Sequence, residues 1–373
     1  MRVAISAESF LPRTNGVANS VVQVTRELQK LKIPTLIIAP DSYESDNFEG
    51  TPVHRVRSFE IPGVHDVDIA FPSTNSLEKV LREFQPTVAH LASPMVLGRQ
   101  VLHAAHNLDI PSVAVFQTHI SGYADHYRLG TVSFLADNVT RGIHKQATLT
   151  LAPSQSSREY LESIDVRAVE LWGRGVDRTK FSAGFRSELL RENYALNTPL
   201  IGFVGRLAPE KNVKILAKLS HNNNVQVVVI GDGPDRLNLM RTMPGAVFTG
   251  RLHGMELATA IASLDVLVAA GELETFCQVI QEGMASGVPV VAPCIGGPRD
   301  LIEHEQTGLF YAPGDREDME HQVMRLLTEA DLRNRIVSNG LHQVAERSWD
   351  KLAMDLVRHY RRVSHRSGLR ESA

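Results

Sequence analysis

Short apolar runs alternate with amphipathic segments along most of the chain, and many of the amphipathic segments repeat their apolar positions at helical spacing. This alternation predicts parallel strands joined by helices, that is, an α/β fold. A first series of predicted strands occupies Val3–Ser6, Thr35–Ala39, Thr87–Leu91, Ser112–Phe116, Thr148–Ala152 and Val169–Leu171. A second series of predicted strands occupies Leu200–Val204, Val225–Ile230, Ala246–Phe248, Asp265–Ala269, Val288–Ala292 and Leu309–Tyr311.

Two series of this kind predict two doubly wound parallel sheets that face one another, one in each of two domains. The first domain is expected to span residues 1–177 and the second residues 178–349, with a linker and a connecting helix in the polar stretch 178–199. A final helical pattern, about 350–373, is expected to return to the first domain. The polar, proline-containing stretch 41–75 interrupts the alternation, which resumes after it.

The stretch from Val266 to Gly297 combines a predicted strand, a loop, a helix and a second strand. The loop carries Glu274, whereas Glu282 lies inside the helix and off its apolar stripe, and Gly287 is a typical stop after the helix. The stripe consists of Phe276, Val279, Ile280, Gly283 and Met284. A loop carboxylate next to the amides of a helix start predicts a pocket for a polar ligand.

Three other loops that follow predicted strands also carry polar groups. Arg206 and Lys211 flank a helix start, where two cations are unfavourable unless an anion such as a diphosphate lies between them. Two solvated surface cations are the alternative. Gly16 would let a backbone amide approach a ligand, although a tight turn before a helix is the simpler explanation. His119 ends a polar triplet after an apolar strand, and a structural or surface histidine is the alternative there.

Composition narrows the choice of function. The chain is 43% hydrophobic and 22% charged, as globular enzymes are, and its formal net charge of −3 argues against a general nucleic-acid binder. The two cysteines, Cys277 and Cys294, are too few for a disulfide framework and lack metal-site spacing, so a reducing cytoplasm is expected. No signal peptide is visible, and no apolar run approaches the roughly 18 residues that cross a bilayer.

Together these loops predict anion-binding groups on both domains and a carboxylate pair on the second. Glu274 and Glu282 are also compatible with the acid pair of a glycosidase, but spacing in the sequence does not give the carboxyl separation that this chemistry needs. Solvated glutamates on a helix face are a further alternative. We therefore expect a cleft that holds a sugar attached to a diphosphate.

The motifs around these loops resemble those of the retaining glycosyltransferases of family 4, which have the GT-B fold of two Rossmann-like domains facing a central cleft. In the second half they are GRLAPEKN (205–212), GDGP, and ETFCQVIQEGMASGVPVVAP, which carries the glutamate pair of that family at Glu274 and Glu282. In the first half they are NGV, TVAHLASP and GRGVD (173–177). Within the family the chain is similar to actinobacterial GDP-mannose-dependent α-mannosyltransferases that act on glycolipids, including the phosphatidylinositol mannosyltransferases, in AESFLPRTNGVANSV, TFCQVIQE and GGPRDLI.

The resemblance assigns roles to individual residues. It implies that Arg206 and Lys211 bind the donor diphosphate and stabilise its charge as it leaves. Glu274 would hold hydroxyls of the transferred sugar, Glu282 would accept hydrogen bonds from the nucleotide ribose, and His119 would contact the sugar near C6 and the reaction centre. The remaining expected donor contacts are Gly16, Phe276, Cys277 and Gln278. Many family members have glycine at the position of Cys277.

The resemblance also implies an acceptor-binding first domain, a donor-binding second domain, and transfer of mannose from GDP-mannose to a glycolipid or phospholipid. No side chain is obviously placed as a nucleophile, so front-face, SNi-like transfer is expected. The alternatives are a UDP-sugar donor (glucose, N-acetylglucosamine or sulfoquinovose) and a sugar-nucleotide epimerase of the same fold. No cofactor is expected, and any Mg²⁺ would be loosely held.

A lipid acceptor implies that this otherwise cytoplasmic protein makes peripheral contact with the cytoplasmic face of a membrane. Arg55, Arg57, Lys79 and Arg82 are the candidates for contact with anionic lipid, with solvated surface charge as the alternative.

Overall fold

The computed structural model describes residues 1–13, 15–42, 45–60, 68–119, 130–195 and 198–368. The chain divides into two compact units. Unit 1 consists of Met1–Arg174 together with the chain from Trp349 onward, and unit 2 consists of Gly175–Ser348. The predicted class, two α/β bodies built on parallel sheets, is confirmed.

The helices follow most of the strands, as the alternating pattern predicts. Those within the described ranges are α1 (Gly16–Lys30), α2 (Thr74–Phe84), α3 (Leu97–Asn107), α4 (Gly130–Gln146), α5 (Gln155–Ser163), α6 (Glu188–Tyr194), α7 (Arg236–Thr242), α8 (Gly254–Ala262), α9 (Gln278–Ala285), α10 (Pro298–Leu301), α11 (Arg316–Thr328), α12 (Ala330–Ala345) and α13 (Trp349–Gly368). None of these combines the length and the apolar character needed to cross a membrane.

The strands of unit 1 are β1 (Val3–Ala7), β2 (Thr35–Pro40), β3 (Asn47–Phe48), β4 (Thr51–Val56), β5 (Ser58–Glu60), β6 (Asp68–Ala70), β7 (Val88–Ala92), β8 (Ser112–Val115), β9 (Leu149–Ala152) and β10 (Val169–Leu171). Across the described residues, eight of them form one sheet in the order β10-β9-β8-β7-β1-β2-β4-β3, parallel except for the edge pair β3–β4. Successive residues of β1 pack on opposite faces, because Val3 and Ile5 join the core under α1 and α13 whereas Ala4 joins the core under α2 and α3.

Strand β4 lies inside the polar stretch 41–75, to which the sequence pattern assigned no strand. Its residues alternate between buried and exposed, and Pro52 and Arg55 occupy exposed positions. Prolines and charged residues near the edge of a sheet make a strand difficult to predict from its sequence, because both are typical of loops.

The strands of unit 2 are β11 (Leu200–Val204), β12 (Gln226–Ile230), β13 (Val247–Gly250), β14 (Val266–Val268), β15 (Val290–Pro293) and β16 (Leu309–Tyr311). They form a parallel sheet in the order β13-β12-β11-β14-β15-β16, which is the Rossmann order. The connection from β11 to β12 contains short 3-10 helices, whereas the alternating pattern predicts an α-helix there.

Helix α13 completes the core of unit 1. The Tyr360 hydroxyl lies 2.7 Å from Nδ1 of His90 on β7, and both residues are buried. Trp172 Nε1 donates to the Leu352 carbonyl at 3.0 Å. Buried polar groups with partners of this kind fix the register of a helix on a sheet, because any shift would leave them unsatisfied.

Acidification is expected to destabilise unit 1 through His90. Burial lowers the pKa of His90 to about 3, whereas an unfolded histidine titrates near 6.5. The unfolded state therefore binds more protons at intermediate pH, so the free energy of unfolding is unaffected by this group well above pH 6.5 and falls as the pH drops towards 3. Between pH 7 and pH 5 the loss from His90 should be about 2 kcal/mol.

Urea unfolding followed by tryptophan fluorescence measures this loss, because both tryptophans, Trp172 and Trp349, belong to unit 1. In His90→Gln the decrease between pH 7 and pH 5 should be smaller than in the wild type by about that amount. His144, whose pKa burial lowers to about 4, should supply much of the remaining decrease. An unchanged pH dependence in His90→Gln would show that the assigned cause is wrong.

Candidate functional site

The strand order of unit 2 reverses between β11 and β14, which are neighbours in the sheet although β12 and β13 separate them in the chain. From β11 the chain proceeds to one edge of the sheet and then returns to build the other. At such a point the loops after adjacent strands diverge and leave a crevice at the carboxyl ends of the strands. The loops after β11 and β14 are those that carry the predicted cations and Glu274.

The structure joins these two loops through an ion pair. Lys211 Nζ donates to Glu274 Oε1 at 2.6 Å, and the two side chains are about one-fifth exposed. The contact needs space at Gly271, where a Cβ atom would come within 2.9 Å of Glu274 Oε1. Such a partly exposed, charge-assisted bond is strong enough to orient both groups and can still exchange partners when a ligand arrives.

Arg206 lies in the loop that follows β11 and is exposed. Its guanidinium pairs with Glu210, whose carboxylate is almost fully buried, while about half of the Arg206 side chain remains exposed. The buried carboxylate therefore anchors a planar hydrogen-bond donor that still faces solvent. Arg206 thus precedes the short 3-10 helix Pro209–Lys211, and Lys211 is the last residue of that helix.

The Glu274 loop rests on the loop that follows β15. Gly297 N donates to the Glu274 carbonyl at 2.8 Å, and a Cβ atom at Gly297 would lie 2.5 Å from the Phe276 Cα atom. Gly296 has φ +62°, and a Cβ atom there would meet the Glu274 carbonyl oxygen at 2.9 Å. The buried Phe276 ring fixes the other side of the loop. Two glycines therefore set the position of Glu274 and of the start of α9.

Cys277 caps α9 in a left-handed backbone conformation, with φ 71° and ψ 65°. This region favours glycine, so the cysteine is held there at a cost of roughly 1 kcal/mol or more, and strain of this kind concentrates at ligand-binding turns. Burial, followed by the nearby Glu274 carboxylate, raises the pKa of the Cys277 thiol well above its usual value. The thiol is therefore neutral at physiological pH and is no nucleophile.

Thiol labelling should distinguish the two cysteines. Cys277 is buried and Cys294 is exposed, so native protein should release one equivalent of thionitrobenzoate rapidly from an aromatic disulfide reagent and the second only after unfolding in urea. In Cys294→Ala the rapid phase should disappear. A rapid phase of full size in Cys294→Ala would mean that Cys277 is accessible and ionised.

The remaining predicted residues of unit 2 lie on α9. Gln278 Nε2 donates to the Gly175 carbonyl at 2.9 Å, whereas its Oε1 atom is buried without a hydrogen-bond partner. Glu282 is half-buried, one turn further along, and its charge contributes to the raised pKa of Cys277. Within the described ranges, no three His, Cys, Asp or Glu side chains are grouped so that they could hold a metal ion.

In unit 1, Gly16 is the exposed first residue of α1, and the Asn15 side chain caps the helix by accepting from the amides of Val17 and Ala18 at 3.0 and 2.9 Å. The Arg174 guanidinium lies against this turn, because a Cβ atom at Gly16 would come within 2.9 Å of Arg174 Nη1. Arg174 Nη2 donates to Oε1 of the buried Gln117. A side chain at position 16 would therefore displace the Arg174 guanidinium from this turn.

His119 follows β8 and is half-buried. Its ring centroid lies 4.0 Å from that of Tyr160 and 6.0 Å from that of Phe116. His119 and Gly16 thus both lie at the carboxyl edge of the unit 1 sheet, after strands β8 and β1.

Several polar residues at these loops were not predicted from the sequence. Arg174 lies inside the GRGVD motif, and Gln117 directly precedes Thr118 and His119. Both therefore lie next to residues that the sequence singled out, but the sequence does not predict the contact between Arg174 and Gln117. Glu272 was also missed, and its Oε1 accepts from Asn212 at 3.4 Å, which gives the loops after β11 and β14 a second connection. The spacing of two acidic residues within GELE was the available signal for Glu272.

Three of the four basic residues considered for membrane contact, all except Arg57, pair with carboxylates. Arg55 binds Asp46 at 2.6 Å, Arg82 lies 3.6 Å from Glu78, and Lys79 lies 4.0 Å from Glu83. These pairs reduce the net positive charge of the surface and favour the interpretation as solvated charge.

Two α/β units with parallel sheets, one of them presenting cations and a carboxylate at the reversal of its strand order, define the class of the protein. This is the architecture of the GT-B glycosyltransferases, in which a sugar nucleotide supplies the transferred group.

Comparisons with known proteins give the family. The model of Glycosyltransferase Family 4 matches residues 14–180, and the model of Glycosyl transferases group 1 matches residues 187–343. The chain is 45% identical to a GDP-mannose-dependent alpha-mannosyltransferase of Mycolicibacterium smegmatis, over 99% of this chain and 100% of that protein. It is 31% identical to the sulfoquinovosyl transferase SQD2 of Arabidopsis thaliana, over 93% and 71% of the two chains. The chain belongs to glycosyltransferase family 4, and the predicted family is confirmed.

Among solved structures, sucrose-phosphate synthase from Thermosynechococcus elongatus matches with a TM-score of 0.80 and 17% sequence identity. The match covers 97% of this chain and 98% of the synthase. At this identity the likeness shows the shared fold alone.

Proposed function

We propose that this enzyme transfers mannose from GDP-mannose to a hydroxyl group of a membrane lipid, with retention of the anomeric configuration. The observation that carries the proposal is the contact between Lys211 and Glu274 at the strand-order reversal of unit 2. It places one anion-binding group beside one hydroxyl-binding group, as a sugar diphosphate requires. The high identity to a GDP-mannose-dependent mannosyltransferase supports mannose and guanine in preference to other donors.

In unit 2, Arg206 and Lys211 bind the diphosphate of the donor. Lys211 is shared with Glu274, so an arriving phosphate takes over part of its hydrogen bonding and leaves Glu274 oxygens for the hydroxyls of mannose. The N–H groups at Phe276, Cys277 and Gln278 face the anion at the positive end of α9. Glu282 accepts hydrogen bonds from the ribose.

In unit 1, Gly16 and His119 take part in donor binding. The bare Cα of Gly16 permits close approach to a phosphate at the start of α1, next to the Arg174 guanidinium. His119 contacts the transferred sugar, and its imidazole offers a hydrogen bond to a sugar hydroxyl through the ring edge.

The reaction proceeds by front-face transfer. The bond from the anomeric carbon to the diphosphate oxygen breaks while the acceptor oxygen bonds to the same face of that carbon. The acceptor proton passes to the departing diphosphate, so no protein nucleophile or general base is needed. The contribution of the protein is to hold the two reactants together and to stabilise the charge on the leaving group with Arg206 and Lys211.

Two exposed aromatic rings support a lipid acceptor. Phe59 lies on β5 and Phe71 directly follows β6, and the two side chains are 57% and 65% exposed. Strands β5 and β6 form a small antiparallel pair apart from the main sheet of unit 1. Exposed aromatic rings at this strand pair are suited to apolar contact with acyl chains. The free thiols Cys277 and Cys294 accord with a protein at the cytoplasmic face.

Donor identity is tested by differential scanning fluorimetry with GDP, UDP, GDP-mannose and UDP-glucose. GDP and GDP-mannose should raise the melting temperature, whereas UDP and UDP-glucose should not. Lys211→Ala should abolish most of the shift, and Lys79→Ala, on helix α2 of unit 1, should retain it. A shift with UDP and none with GDP would rule out the mannosyl donor. This comparison is needed because one relative is named for the transfer of a different sugar, sulfoquinovose.

Acceptor and stereochemistry are tested by incubating the enzyme with radiolabelled GDP-mannose and a membrane lipid extract. The label should enter an organic-soluble product whose one-bond carbon–proton coupling at the anomeric centre reports the α configuration of the donor. A parallel reaction with a chelator tests whether a loosely held Mg²⁺ assists. Label that stays in the aqueous phase as a free isomerised sugar would indicate an epimerase.

A further inference from the structure

The imidazole of His119 packs directly on the Tyr160 ring. The centroids are 4.0 Å apart and the planes are inclined by 51°, so the contact is closer than in most aromatic pairs. Phe116 contacts the imidazole from a second direction, with centroids 6.0 Å apart and planes inclined by 62°. Two rings therefore restrict the tilt of a side chain that stands in a loop.

Tyr160 is itself held at both ends. Its hydroxyl donates to Asp137 Oδ1 on α4 at 2.5 Å, and its ring lies 5.4 Å from that of Phe116. It is carried by α5, whose first turn is fixed because the Ser154 hydroxyl accepts from the Ser157 amide at 3.1 Å. A phenol with two side-chain torsions and two fixed ends is a rigid support.

We propose that Tyr160 is a positioning residue for His119, which fixes the plane of the imidazole so that its edge, and not its face, meets the transferred sugar. The inference rests on the proposed function, in which His119 contacts that sugar. A catalytic contact that is displaced by about 1 Å loses on the order of 100-fold in rate, so a support for a loop histidine has a measurable effect. Tyr160 touches no reacting atom and acts only through His119.

The competing explanation is that Tyr160 merely fills the small core under α5. Tyr160 does pack against that core, which is formed by Phe116, Ala152, Leu161, Val166 and Val169. A filling role would change the stability of unit 1 and would affect every step of the reaction indirectly. A positioning role would change kcat only as long as His119 is present.

A double-mutant cycle separates the two explanations. The variants are Tyr160→Leu, Tyr160→Phe, His119→Ala, and Tyr160→Leu combined with His119→Ala. Tyr160→Leu should lower kcat by roughly tenfold or more, with the donor KM changed by less than about twofold. Tyr160→Phe keeps the ring and should retain kcat within about threefold, although it loses the bond to Asp137. In the His119→Ala background, Tyr160→Leu should lower kcat no further.

Urea unfolding of each variant, followed by the fluorescence of Trp172 and Trp349, shows whether the protein is folded under assay conditions. Multiplicative effects on kcat in the cycle would overturn the proposal, as would a loss in Tyr160→Leu that follows stability and also appears in Tyr160→Phe. If His119→Ala leaves kcat unchanged, the proposed role of His119 fails and the positioning role fails with it. If the wild type uses a UDP-sugar, only the proposed donor fails, and the same cycle measured with that donor decides the role of Tyr160.

Discussion

Glu274→Ala should lower kcat for transfer by roughly 100-fold or more while the protein remains folded. In the proposed function the carboxylate binds hydroxyls of the sugar, and in the structure it is the partner of Lys211 at 2.6 Å. Its removal would take away the proposed acceptor for the sugar hydroxyls and would release the Lys211 ammonium from its position beside the proposed diphosphate site. Both losses weaken interactions that hold the donor in the transition state.

Radiometric transfer assays under saturating donor measure this effect. Glu274→Gln should fall between the wild type and the alanine variant, because the amide keeps the shape and accepts one hydrogen bond but carries no charge for Lys211. Glu256→Ala, at an exposed position in the first turn of α8, is the matched control and should retain kcat within about twofold. Near-normal turnover in Glu274→Ala would contradict the assigned role.

Gly297→Ala should produce the second large effect, by moving the Glu274 loop without altering any ligand-binding side chain. The added Cβ atom would lie 2.5 to 2.7 Å from the backbone atoms of Phe276, which cannot yield as a flexible side chain can. The start of α9 must therefore shift, and we expect the donor KM to rise by roughly tenfold or more. The free energy of unfolding of unit 2 should fall by about 2 kcal/mol.

Gly142→Ala is the control for this substitution. No atom lies within 4 Å of a Cβ built at Gly142, which stands in the middle of α4, so alanine should be neutral there or slightly stabilising. Steady-state kinetics with varied donor and urea unfolding followed by circular dichroism provide the two measurements, because both tryptophans lie in unit 1. A Gly297→Ala enzyme with wild-type donor KM would show that the loop after β15 does not position Glu274.

The sequence was most informative where chemistry and secondary structure coincide. Buried β-branched runs predicted most strands to within a few residues. Because a parallel sheet brings the loops after its strands to one edge, the fold class placed Lys211 and Glu274 at the same edge. The sequence did not predict which carboxylate pairs with which cation. Nothing in the pattern separates Glu210, which anchors Arg206, from Glu274, which binds Lys211.

Contacts between elements far apart in the chain were also not predictable from the sequence. Arg174 against Gly16 and Tyr160 against His119 depend on side-chain directions that only the folded backbone sets. The left-handed conformation of Cys277 was hidden for a related reason, since a cysteine carries no signal for positive φ. The glycine that many family members have at this position is explained by that conformation.

The return of α13 to unit 1 has a consequence for biosynthesis. The bond between His90 and Tyr360 joins residues 270 positions apart, whereas unit 2 is made from one continuous segment, Gly175–Ser348. On the ribosome, unit 2 can therefore finish folding while unit 1 still lacks its last helix and exposes the core that α13 covers. Unit 1, which is synthesised first, is thus completed last. Until α13 emerges from the ribosome, the apolar surface of unit 1 remains exposed and can be bound by chaperones.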